Sequence, residues 1–239
     1  MKPALKRFVW NSVEDIYVDQ ETDWSCVSNA TRMALRYFGY DITERKIADF
    51  LDKLGRKVIL HNGEFLVALP HAALFLRYAG FDVTYRTTLS KHYPLAVEVI
   101  EDQQLVRGIL LDDLREVEDS YTRDRYEALL ELMKLGGKVY LHQPDRMIQK
   151  EDILKAIKAR KVVIVDVTAR QYYGVDEDWG HALTLVPYGS SFKVLDGFAR
   201  KGYLDPDLRD IWDEALEKAK RFMWKDIVRI IEVTEDGRS

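Results

Sequence analysis

The chain holds a single cysteine, Cys26, in the stretch DQETDWSCVSNATRMALRYFGYD (19–41), where a helix begins. A thiol in a first helical turn meets unpaired backbone N–H groups and the positive end of the helix dipole, and both favour thiolate over thiol. An imidazolium beside it would complete a sulfur nucleophile charged at neutral pH. The alternative for a free thiol is the commoner one, a small buried hydrophobe. One cysteine forms no internal disulfide, so Cys26 is a packing group, a nucleophile or a link to another chain.

A histidine suited to that partnership starts HALTLVPYGSSFKVLDG (181–197), which reads as two strands joined by a tight turn. With Tyr188 and Gly189 as a two-residue turn, Leu185 faces Phe192, Leu183 faces Val194 and His181 faces Asp196. Opposed Cβ atoms about 4.5–5.5 Å apart let a carboxylate accept from the imidazole, fix its tautomer and favour its charged form. A turn at Gly189–Ser190 would instead shift the register by two residues. Were Asp196 on the other face, Asp178 or Asp166 would become the candidate orienting carboxylate. The plainer alternative is that His181 merely ends a strand and Asp196 merely opens a turn.

These residues need elements to hold them. Ser25 or Asp23 can cap a helix whose apolar positions Ala30, Met33, Ala34 and Tyr37 recur at helical spacing until Gly39. A second helix follows a Thr43 cap through Ile47, Phe50, Leu51 and Leu54, and a third runs from Pro70 to about Tyr78, stopped by Gly80. Short β-branched and aromatic runs then predict strands at 81–86, 138–142, 162–167, 181–188, 191–197 and 226–233, with helices at about 105–118, 121–135, 150–159 and 205–222. The expected class is α+β: a helical N-terminal lobe and a mainly antiparallel C-terminal sheet, in one domain spanning 1–239. The charged stretch at about 88–137 reads as a helical insertion, either a small covering subdomain or a solvated helical hairpin.

Composition narrows the partners. A chain of 239 residues with 47% apolar residues can bury a substantial core. Its formal charge of −4 and lack of a long Lys/Arg run argue against nucleic acid. No apolar run reaches signal-peptide or membrane-span length, so a soluble, cytoplasmic protein without a membrane partner is expected. Oligomeric state is not legible.

The stretch QETDWSC, followed by Met33, Leu35, Tyr37, Phe38 and Gly39, resembles the start of the papain-like cysteine peptidases of the bacteriocin-processing, double-glycine leader group. In that family a glutamine lies six residues before the nucleophile, as Gln20 does before Cys26, and WGHALTLVPYGSSFKVLDGF resembles its His strand and following Asp, matching His181 and Asp196. The resemblance covers about a third of the chain and implies a papain-like fold. It implies cysteine-dependent hydrolysis of a peptide or amide bond, needing no cofactor. Cys26 would attack a carbonyl carbon, His181 would protonate the leaving amine, Asp196 would orient His181, and Gln20 with the Cys26 backbone N–H would bind the oxyanion. The family usually continues Cys-Gly-Pro-Ala, whereas this chain has Val27 where Gly is common and Asn29 where a small apolar residue is usual, which bears on access to the thiol. No GxxxxGK[ST] motif occurs, so the export role of the best-known members is not implied.

Two other functions use the same residues. An acyl transferase would pass the acyl group to an amine or thiol, and a catalytically silent module would bind peptide without turnover, a reading that Val27 and Asn29 favour. Trp24 and Trp179 immediately precede the candidate nucleophile and base. They can wall a substrate cleft, although packing around the site is the simpler expectation. His61, His71, His92 and His142 show no metal-ligand spacing and read as surface or partly buried residues rather than ligands.

Overall fold

The computed structural model describes residues 2–22, 24–60, 63–168, 180–197, 227 and 229–235. Among the described residues, seven α-helices pack around a seven-stranded mixed sheet. A short ribbon of β1 (Lys6–Arg7) and β2 (Tyr40–Asp41) flanks α1 (Val13–Ile16) and α2 (Cys26–Tyr37). There follow α3 (Glu44–Lys53), α4 (Leu69–Ala79), β3 (Phe81–Thr88), β4 (Val99–Ile100), α5 (Gln103–Glu116), α6 (Ser120–Lys134), β5 (Lys138–His142), α7 (Lys150–Lys158), β6 (Val162–Thr168), β7 (Gly180–Tyr188), β8 (Ser191–Leu195) and β9 (Arg229–Glu235). The strand order is β4-β5-β3-β9-β6-β7-β8, and among the described strands β3 and β5 pair in parallel while the other neighbours are antiparallel. The expected helix at 205–222, residue Asp23 and parts of the last strand lie outside the described residues.

Local chemistry explains the element ends that position the site. Thr43 accepts a hydrogen bond from the Lys46 N–H and opens α3. Gly80, at φ 99°, closes α4 in the left-handed conformation that a Cβ disfavours. Helix α2 buries Ala30, Met33, Ala34 and Leu35 completely, and its Ala30 carbonyl accepts the buried Thr184 hydroxyl of β7 at 2.8 Å. That bond ties the helix bearing Cys26 to the strand bearing His181.

Two expectations need correction here. The β7–β8 hairpin pairs Tyr188 with Ser191, Pro187 with Phe192 and Leu185 with Val194, so the turn is Gly189–Ser190. The reason is steric: Gly189 takes φ 57° at the first turn position, whereas a Tyr188–Gly189 turn of the I′ type would force a bulky aromatic to positive φ. The segment 88–137 is not a solvated hairpin, because α5 and α6 bury Val106, Ile109, Leu110, Ala128, Leu129 and Leu132 in the same core as α4 and β3. A second apolar cluster lies between α7 and the strands β6, β7 and β8. No helix among the described residues is long and apolar enough to cross a membrane.

Candidate active site

Cys26 is the first residue of α2 and is partly exposed. Its thiol acts at short range on the imidazole of His181, which is only 1% exposed near the start of β7. The ring Nε2 lies 2.9 Å from Asp196 Oδ1. Burial opposes a charge on this ring, but the Asp196 carboxylate, through its charge and hydrogen bond, and then Cys26 outweigh it and push the His181 pKa up to about 10. The two-residue register shift does not break the pair. It preserves the parity of the pleat and makes Asp196 a diagonal rather than direct neighbour, about 7–8 Å away across a ladder and still within side-chain reach. Asp166 is not the orienting group: its carboxylate lies 2.8 Å from Arg229. Asp178 is outside the described residues.

Gln20 is brought to this end of the molecule by its backbone, whose N–H donates to the Gly197 carbonyl, one residue beyond Asp196, at 3.1 Å. The side chain is buried, and Nε2 donates to the Thr22 carbonyl at 2.8 Å. An amide nitrogen carries two protons, so one donor of Gln20 remains beyond this local bond. Gln20 Oε1 is buried without a hydrogen-bond partner among the described residues. Trp24 stands 55% exposed instead of packing, beside the thiol in sequence. Trp179 lies outside the described residues.

Two further residues were not singled out as parts of a site by the sequence reading. Asn29, noted there as a departure, is fully buried and donates through Nδ2 to the Val18 carbonyl at 3.1 Å and to Glu44 Oε1 at 2.8 Å. Glu44, also fully buried, accepts the Glu21 N–H on its other oxygen at 3.0 Å, while its own N–H donates to Glu21 Oε1 at 3.2 Å. Burial raises the Glu44 pKa, against the lowering effect of nearby Ser25 and of the hydrogen bonds from Asn29 and the Glu21 N–H. The segment carrying Gln20 is thereby clamped from below: Val18 by Asn29, Glu21 by Glu44, and Thr22 by Ser25 Oγ, which accepts the Thr22 N–H at 3.0 Å. Ser25 spends its side chain on Thr22 and does not cap α2. A Cβ placed on Gly197 would lie 2.0 Å from Asn29 Oδ1, so glycine is what lets the Asp196 turn sit on Asn29. Asn29 thus acts as a strut under the site, and Val27 packs partly against the main core. A polar side chain on the buried stripe of α2 was the available signal for Asn29. An acid in the first turn of a helix is ordinary, so Glu44 gave none.

Among the described residues no group of three or more His, Cys, Asp or Glu side chains is placed to hold a metal ion. His71 and His142 are completely buried, a correction to the expected surface or partial burial. His71 Nε2 lies 3.0 Å from Asp124, and burial pushes the His142 pKa down to about 4. His92 is exposed, and His61 lies outside the described residues. No family model matches the chain, and no curated protein matches it either.

Proposed function

We propose that this α+β chain has a papain-like arrangement and hydrolyses a peptide or amide bond through an acyl-enzyme on Cys26. The observation that carries this reading is the contact sequence Cys26–His181–Asp196, with His181 buried and its pKa raised. A merely structural histidine at a strand end has no reason to be charged, buried and shared between a carboxylate and a helix-start thiol.

In the proposed reaction the Cys26 sulfur attacks the carbonyl carbon, forming a C–S bond while the carbonyl electrons move to oxygen. The imidazolium of His181 then gives its proton to the amide nitrogen as the C–N bond breaks, leaving a thioester and a free amine. Water attacks the thioester, His181 takes the water proton, and cleavage of the C–S bond returns thiolate, imidazolium and a carboxylic acid. Asp196 holds the ring in orientation and stabilises its charge. The second N–H of Gln20, with the Cys26 backbone N–H, serves the oxyanion.

The test is turnover of a library of peptide and aryl amides by the wild type and by Cys26→Ala. Hydrolysis that disappears in the variant and on stoichiometric alkylation supports the reading. Turnover that survives in Cys26→Ala contradicts it, as does no turnover of any member. A product formed only with an added amine would assign acyl transfer on the same residues.

A further inference from the structure

A cleft of about 210 Å³ opens between β3, α5, α6 and β9. Two guanidinium groups from distant parts of the chain, Arg125 on α6 and Arg229 on β9, converge on it. Both have a buried Nε without a hydrogen-bond partner among the described residues, and the Thr88 hydroxyl at the end of β3 is in the same position. Buried polar groups are nearly always hydrogen-bonded, and three orphaned groups lining one cleft are where a ligand would supply the missing partner.

The charges select the ligand. Arg229 is paired with Asp166 at 2.8 Å. Asp113, the acid in the lining, is paired with Lys91 at 3.0 Å and accepts the Tyr93 hydroxyl at 2.6 Å. Arg125 lies over the Tyr121 ring, 4.6 Å from its centroid, and has no carboxylate within ion-pair distance among the described residues. Of the charged groups lining the cleft, Arg229 and Asp113 are each paired, which leaves Arg125 as the cation with no carboxylate partner among the described residues. Tyr85, wholly buried in the same wall, is kept protonated because burial raises its pKa, so it presents a hydroxyl and no competing anion. The remaining wall is apolar, with Leu110, Leu129 and Leu141.

We propose that this cleft binds a small organic monocarboxylate, its head on Arg125, Arg229 and Thr88 and its hydrocarbon body on the leucines. One carboxylate would pair with Arg125, and planar carboxylates match the guanidinium fork. Phosphate fits less well, since it carries more charge and has no use for an apolar wall.

The test is calorimetric titration of the full chain at neutral pH with hexanoate, hexanamide and inorganic phosphate. Hexanoate should bind at least about tenfold more tightly than either of the others, and Arg125→Gln should weaken it by about 10- to 100-fold, the usual worth of charge-assisted hydrogen bonds. Thr88→Val, a near-isosteric change, should weaken it several-fold and serves if Arg125→Gln does not fold. Hexanoate affinity should survive alkylation of Cys26, which distinguishes this cleft from product binding at the proposed acyl-enzyme site. Equal affinity for hexanoate and hexanamide, tighter binding of phosphate, no binding of any probe, or loss of binding on Cys26 alkylation would each overturn the proposal.

Discussion

The two polar regions of this protein are built in opposite ways. Around the start of α2, Gln20, Ser25, Asn29, Glu44, His181 and Asp196 are buried, and apart from Gln20 Oε1 their side-chain polar groups mostly bond one another or nearby backbone. In the cleft beside β3, Arg125, Arg229 and Thr88 each keep a buried atom with no partner among the described residues. The first region spends its polar groups on holding a geometry, whereas the second holds polar groups in reserve. A partnered cluster is costly to cut, because each deletion strands the groups left behind, while an unpartnered cation is cheap to remove.

That contrast is breakable by substitution. Glu44→Ala should have the largest effect, about 3 kcal/mol, because it removes the acceptor of one buried Asn29 N–H and of the Glu21 N–H. Glu44→Gln, which keeps an acceptor oxygen, should cost less. Chemical denaturation of the three proteins measures both, and equal stability would show that the clamp beneath Gln20 does not bear on folding.

The His181–Asp196 pair gives a pH signature. A base whose folded pKa is raised from 6.5 to about 10 stabilises the fold fully below about pH 6.5 and loses that contribution as pH rises toward 10. Wild-type unfolding free energy should therefore fall over pH 6.5 to 10 more steeply than that of His181→Ala. Parallel curves would contradict the charged, paired state of the ring.

Gly197→Ala comes next, at about 1–3 kcal/mol for overpacking against Asn29 Oδ1. In an Asn29→Ala background the added methyl group has room, so the cost of Gly197→Ala should shrink there. Additive costs in the double-mutant cycle would mean that the two residues do not press on each other. Arg125→Gln should be the mildest change, within about 0.5 kcal/mol of wild type in the absence of ligand. A loss of several kcal/mol would make Arg125 a structural group and erase the contrast between the regions.

Much of the scaffold is legible in the chain because its determinants are local. Thr43 and Gly80 announce helix ends through chemistry within a few residues, and the β-branched run at 162–167 already reads as a strand. The Gly189 turn was misassigned for an equally physical reason: both registers keep the same alternation, and only the φ demand on Tyr188 separates them. His181 and Asp196 were still paired correctly, since a shift of two leaves both on one face. Two-residue strands such as β1 and β4 are too short to show a period. Nothing near Glu44 signals that α2 and the Gln20 segment will close over it, and the convergence of Arg125 with Arg229 depends on elements far apart in sequence.

The claim that Cys26 is a nucleophile activated by His181 has a direct test, since Cys26 is the sole thiol in the chain. The measurement is the second-order rate of alkylation by iodoacetamide at pH 7, in the native protein, in the urea-unfolded protein and in His181→Ala. The account predicts native alkylation at least about tenfold faster than in the unfolded chain, with most of that advantage lost in His181→Ala. A native rate equal to or below the unfolded rate, unchanged by His181→Ala, would contradict it.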